Sequence, residues 1–359
     1  MKIGLVGCGL AVEHQLPGIR AFPGAEIVGI CDSDEKKLKG FGDRLKIQNR
    51  YTKLIDMLER LKPKVVHIMT PPKTHAPLAI RAMDTGCHVL VEKPMAITTE
   101  EADQMIEAAE RNKVKLCVMH NHLFDPHILR AKRIAEDGLL GDVLNVEIKY
   151  WLDKDKMSEE GLSRSEHWAH QLPLGIFGEY TPHLIYLFLC FLGNVESVLV
   201  LRKSLNDSLP VTINGIGVEV NAESGMGHIL MLENMNYGRF TVHVYGTKLA
   251  LHINMMDLTM TVEKERNLPK TAARMFSTVE QGFQGIVGNL ANCARIITGR
   301  LRRRPGHRTL IKRFYESIQN NTEPPVTGQS GKEVVKVIEL IQEQLSGGKS
   351  DRQFLQSMG

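Results

Sequence analysis

Short apolar runs alternate with longer amphipathic stretches through the first third of the chain. The runs fall at residues 2–7, 26–32, 65–70, 88–92 and 115–120. Each gap is long enough for a crossover helix, which parallel strands require. The rhythm predicts a doubly wound parallel sheet with helices on both faces. Residues 98–112 predict a helix capped by Thr98 or Thr99. Glu100 and Glu101 then sit in the first turn, where negative charge meets the positive end of the helix dipole.

The pattern changes after His122. Phe124-Asp125-Pro126 predicts a break, because proline disfavours helix in the residue before it. A helix follows and ends near Asp137-Gly138. Strand-like runs then fall at 143–151, 195–201, 213–221, 227–233, 239–245, 250–253 and 258–262. Short turns such as Asn236-Tyr237-Gly238 join several of them, which predicts a large, mostly antiparallel sheet. Residues 184–192 predict a buried helix, too short to span a membrane. Helices over 309–320 and 332–345 close the chain. The organisation predicted is a first domain over 1–122 and a second α+β domain over 123–359.

Residues 276–301 stand apart. Apolar side chains recur there in steps of three or four, at Phe276, Val279, Phe283, Ile286, Leu290, Ala294, Ile297 and Leu301. One face of a helix is therefore apolar. It runs into Arg300, Arg302, Arg303 and Arg304, making 276–304 an amphipathic, basic helical insertion. It has three readings: a helix packed on the protein with a solvated basic end, a lid or subunit contact, or attachment to an anionic membrane surface.

Composition narrows the class. With 43% hydrophobic residues the chain can bury substantial cores. A formal net charge of +4 on 359 residues is too mild to predict nucleic-acid binding. The basic cluster also lacks interleaved aromatics. The cysteines (8, 31, 87, 117, 190 and 293) form no Cys-x-x-Cys pair and fit a reducing cytoplasm. Leu5-Val6-Gly7-Cys8 resembles a lipoprotein cleavage site. Only Ile3 to Gly7 separate Lys2 from Cys8, too few for an apolar signal region.

A strand entering a glycine-rich turn explains those residues better. Gly7-Cys8-Gly9 allows a tight turn and close approach of a diphosphate to backbone amides, with Leu10 and Ala11 opening the helix beyond. Val12 stands where a third glycine is expected, so an ordinary strand–helix turn remains an alternative. Asp32, at the end of the second strand, can accept hydrogen bonds from ribose hydroxyls. It would repel a 2′-phosphate, favouring NAD over NADP, with Lys36 and Lys37 close enough to soften the preference. Its alternative role is a helix cap.

Thr70-Pro71-Pro72-Lys73-Thr74-His75, Glu92-Lys93-Pro94-Met95 and His120-Asn121 with Phe124-Asp125-Pro126 carry a resemblance. So, more loosely, do residues 178–183, 244–248 and 324–327. The sequence resembles the glucose–fructose oxidoreductase, inositol dehydrogenase and MocA family. The resemblance implies a Rossmann domain followed by an open-faced sheet domain. It also implies NAD(P)-dependent interconversion of secondary alcohols and ketones on sugars, cyclitols and nucleotide sugars, by a homodimer or homotetramer. It assigns the cofactor to Gly7, Gly9, Leu10, Ala11, Asp32, Thr70, Pro71, Pro72, His75, Glu92, Lys93 and Asn121. It also implies that the peptide before Pro94 is often cis.

Hydride transfer from an alcohol needs a group that takes the hydroxyl proton and donors near the developing oxyanion. Lys93 lies at a strand's C-terminal end, where open α/β sheets bind ligands. Its alternative is a salt bridge with Glu92. His183 matches the family's histidine, which suits proton exchange near neutrality. Glu179 takes the position of the family's aspartate and shares a helix face with His183. Tyr186 replaces a further acidic residue. Trp168 and His170, with His167, either line a substrate pocket or anchor a loop. A metal site of His167, His170, Glu179 and His183 can be drawn, but nothing fixes its convergence. The competing class is a non-catalytic NAD-binding sensor, kept open by Glu179 and Tyr186.

Overall fold

Apolar runs that must be buried on both faces build the first sheet. Its strands are β1 (Lys2–Val6), β2 (Glu26–Cys31), β3 (Arg50–Tyr51), β4 (Val65–Ile68), β5 (His88–Val91) and β6 (Leu116–Val118). All are parallel, in the order β3-β2-β1-β4-β5-β6. Ile3, Leu5, Val65, Val66, Val89 and Leu90 are fully buried, as a sheet covered on both faces demands. The crossovers are α1 (Leu10–Arg20), α2 (Glu35–Leu45), α3 (Leu54–Leu61), α4 (His75–Asp84) and α5 (Thr99–Arg111). Thr98 caps α5 by accepting from Glu101 N at 3.2 Å. This is the Rossmann order. The sequence pattern missed only β3, which is two residues long. The order reverses between β1 and β4, so the loops beyond those strands turn to opposite faces and leave a crevice.

The computed structural model describes residues 1–159, 161–162, 167–172, 174–203, 215–301 and 304–346. The chain divides into two units: Met1–Pro126 with Arg302–Lys336, and His127–Leu301 with Val337–Gly359.

In the second unit α6 (Pro126–Glu136) leads into β7 (Val143–Asp153), followed by α7 (Lys154–Glu159) and α8 (Phe177–Leu192). Then come β8 (Val195–Lys203), β9 (Gly215–Ala222), β10 (Gly225–Met235), β11 (Arg239–Gly246), β12 (Leu249–Asn254) and β13 (Thr259–Lys264). These seven strands form one sheet in the order β13-β12-β11-β7-β10-β9-β8. Only the β7–β10 pair is parallel. Alternation sends Val146, Ile148, Tyr150 and Leu152 of β7 inward, while Glu147 and Lys149 face outward and pair at 3.4 Å. The apolar helix α8 lies on the inner face. A side chain at Gly227 of β10 would strike the Phe188 ring of α8.

The amphipathic insertion forms α9 (Lys270–Ile297), starting and ending earlier than the periodicity predicted. Its apolar stripe is not packed on the protein. Phe276, Val279, Phe283 and Leu290 are 59–70% exposed, and the polar face docks against β13. The reason is the edge of the sheet. Gln284 accepts from Val262 N at 2.7 Å and donates to Val262 O at 3.0 Å, meeting edge-strand groups that an apolar side chain would leave unsatisfied. Arg302 and Arg303 of the basic cluster lie outside the described residues.

The chain then returns to the first unit through α10 (Pro305–Asn320) and the start of α11 (Gly328–Ser346). A contiguous division at residue 122 therefore does not describe the fold. Phe314 and Tyr315 of α10 are fully buried, with the Phe22 ring 5.0 Å from that of Tyr315. Lys332 of α11 holds both oxygens of Asp103 of α5, at 2.6 and 2.7 Å. Among the described residues no helix is long and apolar enough to cross a membrane.

Candidate functional site

Beyond the carboxyl end of β1, Gly7 adopts φ +97° and donates to Cys31 O at 2.8 Å. A Cβ there would sit 2.5 Å from Met69 O, so only glycine lets β1 and β4 run this close. A Cβ at Gly9 would meet nothing within 4 Å. The turn thus opens onto free space in front of the first amides of α1, Leu10 and Ala11 among them. That cradle fits a diphosphate at a helix N-terminus.

Asp32 ties this turn to β2. It accepts from Cys8 N at 2.7 Å and from Asp34 N at 2.9 Å. The cap of α2 is Asp34, which accepts from Lys36 N and Lys37 N. Asp32 is therefore not the cap; it holds the glycine turn, and its carboxylate keeps further lone pairs. Burial, aided by the Asp32 charge, pushes the Cys8 thiol up to about 12, so it stays protonated at neutral pH.

After β4, Thr70, Pro71 and Pro72 turn the chain into α4. Thr74 donates to Pro71 O at 2.8 Å. His75 is fully buried between two carbonyls, Thr70 O at 2.7 Å and Pro94 O at 2.8 Å. Burial holds its pKa down at about 4, with the two carbonyls pulling the other way. A neutral ring carries one N–H, so His75 donates to one of these carbonyls and packs against the other, filling the space between the loop after β4 and the loop after β5. The Lys93–Pro94 peptide is cis. Asn121 is buried in the turn Asn121–Phe124 that follows β6.

The structure adds a feature behind Glu92 that motif reasoning missed. Gln15 of α1 donates to Glu92 Oε1 at 2.6 Å. His67 of β4 meets Gln15 Oε1 through Nδ1 at 2.6 Å and Tyr315 of α10 through Nε2 at 2.7 Å. An amide oxygen only accepts, so Nδ1 carries the hydrogen. Burial drives His67 down to about 3, so the ring is neutral and Nε2 accepts from the tyrosine. The bonds run one way, from Tyr315 through His67 and Gln15 to the Glu92 carboxylate. Gln15, His67 and Tyr315 have no exposed surface. The available signal was a histidine inside the apolar run Val65-Val66-His67-Ile68 and a glutamine on the apolar face of α1. Both need buried partners.

In the second unit Glu179 and His183 are half-buried on one face of α8, while their neighbours Tyr180, Thr181, Pro182 and Leu184 are buried. His183 Nδ1 lies 2.6 Å from the Tyr186 hydroxyl, and Tyr186 is 2% exposed. The tyrosine that replaces an expected acid therefore orients the same histidine. His167 Nδ1 accepts from Ala169 N at 3.2 Å, capping the turn Trp168–Gln171. His170 Nε2 donates to Leu162 O at 2.8 Å. These two histidines anchor the loop; Trp168 is half-buried beside the His167 ring, 5.4 Å away. Among the described residues no three His, Cys, Asp or Glu side chains gather as a metal site needs.

Residues 1–120 match a family described as an oxidoreductase family with an NAD-binding Rossmann fold, and residues 128–252 match the GFO/IDH/MocA C-terminal domain. D-apiose dehydrogenase from Paraburkholderia graminis is 34% identical over 209 residues, 58% of this chain and 54% of that protein. Oxidoreductase P35 from Formosa agariphila is 28% identical over 200 residues, 54% of this chain and 61% of that protein. The match thus spans little more than half the length of these relatives. Among solved structures, the WlbA dehydrogenase from Bordetella pertussis in complex with NADH and UDP-GlcNAcA superposes with a TM-score of 0.79 at 19% identity, covering 97% of this chain and 96% of that one. Levoglucosan dehydrogenase in complex with NADH gives 0.78 at 17% identity, covering 97% of each. At such identities the likeness is one of fold.

Proposed function

The chain belongs to the Gfo/Idh/MocA family of oxidoreductases with an NAD-binding Rossmann fold, and from that premise we propose that it is an NAD-dependent dehydrogenase. Its substrate is a secondary alcohol, or the matching ketone, on a sugar, cyclitol or nucleotide sugar. The observation that carries the reading is the set of loops beyond β1, β4 and β5, cross-tied by Asp32, His75 and the chain behind Glu92. The glycine cradle suits the diphosphate and Asp32 suits an unphosphorylated ribose, which favours NAD over NADP. The names of the relatives and neighbours support the carbohydrate class.

When bound, nicotinamide supplies the hydride acceptor or donor. In our reading Thr70, Pro71, Pro72, His75 and Asn121 shape the cofactor's far wall. Glu92 and Lys93 stand nearest the reacting end. Lys93 hydrogen-bonds the substrate oxygen and offsets the charge that grows there as the hydroxyl proton leaves. In the second unit His183, oriented by Tyr186, is the candidate for proton exchange, and Glu179 one turn earlier is the candidate for binding substrate hydroxyls. Trp168 and His170 are the further candidates for substrate contact in the second unit.

The test is NADH formation at 340 nm from NAD with cyclitols, free sugars, sugar phosphates and nucleotide sugars, after NADH binding is established. Turnover on one class establishes the enzyme. Tight NADH binding with no turnover anywhere would favour an NAD-binding sensor. Replacing Lys93 by Ala should lower kcat by about a hundredfold or more, with a much smaller change in NADH Kd. Equal losses in both would remove Lys93 from the chemistry.

A further inference from the structure

A helix that packs its polar side and exposes its apolar side has its amphipathicity inverted relative to a surface helix of a monomer. On α9 the docked face carries Ser277, Glu280, Gln284 and Asn292. Gln284 meets both backbone groups of Val262, Asn292 donates to Asp257 O at 2.8 Å, and Glu280 pairs with Arg266 at 2.6 Å. These bonds fix the helix's rotation, so the apolar side cannot roll inward without breaking them.

The exposed side has the spacing of a helix–helix seam. Phe276, Val279, Phe283, Ile286, Leu290, Cys293 and Ile297 follow one another in unbroken steps of three and four, the 3.5-residue repeat of a coiled coil. Phe283 is 66% exposed, Leu290 65% and Ile297 85%. A stripe of seven such exposed side chains along one helix exceeds the scattered single apolar residues of a monomer's surface, whose largest patch is about 300–600 Å², and approaches the scale of a stable interface, about 800 Å² per partner.

Charge selects the occupant. From Met275 to Ala294 the only charged residue is Glu280, which Arg266 already holds. The positions flanking the seam are uncharged, so two copies meet without like-charge repulsion. A helix lying on an anionic membrane carries Lys and Arg along its polar face. Here that face is turned to the sheet, and the basic residues stand only at the ends, Lys270 and Arg274 before the seam and Arg295 and Arg300 at its close.

We propose that α9 is a self-association surface, through which two copies of this chain pair helix against helix in a two-fold contact. The test is sedimentation velocity of the full chain from 1 to 100 µM, beside the double variant Phe283→Glu, Leu290→Glu. The wild type should sediment as a dimer or a multiple of it, and the variant at half that mass with unchanged far-UV circular dichroism. Maleimide labelling of Cys293, the one exposed cysteine among the described residues, gives a readout free of substitutions. It should slow as wild-type concentration rises and dimer forms. A monomeric wild type, an assembly whose mass the variant leaves unchanged, or labelling independent of concentration would each overturn the proposal. So would flotation of a monomeric wild type with phosphatidylserine vesicles that the variant abolishes, which would make a membrane the occupant.

Discussion

Replacing Gln15 by Met removes the centre of the buried chain behind Glu92 while keeping the volume of the side chain. Two hydrogen bonds are lost: the one Glu92 Oε1 accepts from Gln15 at 2.6 Å, and the one His67 Nδ1 donates to Gln15 at 2.6 Å. A hydrogen bond to a charged group contributes about 1.5–3 kcal/mol and stranding a buried neutral donor costs about 1–3 kcal/mol, against a gain of about 1 kcal/mol from the apolar methionine. The net loss expected is about 1.5–5 kcal/mol. Tyr315→Phe removes only the terminal bond at 2.7 Å and should cost about 1–2 kcal/mol. Urea unfolding, followed by circular dichroism, measures both. Because both variants act through the His67 ring, the double variant should deviate from additivity by about 0.5 kcal/mol or more. NADH titration gives the functional side: Gln15→Met should weaken binding, since Glu92 loses the donor at its Oε1, while Tyr315→Phe should weaken it less. A Gln15→Met protein within about 0.5 kcal/mol of wild type and with unaltered NADH affinity would refute the connected chain.

Acid should destabilise the first unit steeply. His67 and His120 are held down at about 3 and His75 at about 4 by burial. Below the unfolded value near 6.5 only the unfolded chain takes up these protons, so stability falls with pH by about 1.4 kcal/mol per unit for each histidine, down to the folded values. Urea midpoints that stay level between pH 7 and 5.5 would contradict this. Tyr186→Phe removes the hydroxyl 2.6 Å from His183 Nδ1. It should lower kcat by about tenfold and move the pH–rate profile; a profile superimposable on wild type would leave Tyr186 a packing role alone. Asp32→Ala should weaken NADH binding by about tenfold and narrow the preference over NADPH, read from the ratio of the two Kd values. An unchanged ratio would take cofactor choice away from Asp32.

Hydrophobic periodicity carried most of the architecture. The apolar runs at β1, β2, β4, β5 and β6 had to be strands covered on both sides, and the alternation from β7 to β13 had to be a half-exposed sheet, since no other element buries those residues at those intervals. The positions of the glycine turn, Asp32 and the Glu92-Lys93-Pro94 loop beyond strand ends were likewise legible, because each follows directly in sequence from an apolar run. Three features were not legible. Tyr315 stands 248 residues from the His67 it bonds, and residues 302–336 rejoin the first unit, because burial is decided by which surfaces meet and periodicity says only that a face is apolar. For the same reason the stripe on α9 looked like a packing face. Only the tertiary structure, with an edge strand whose backbone had to be satisfied by Gln284, turned the polar side inward and left the apolar side outside.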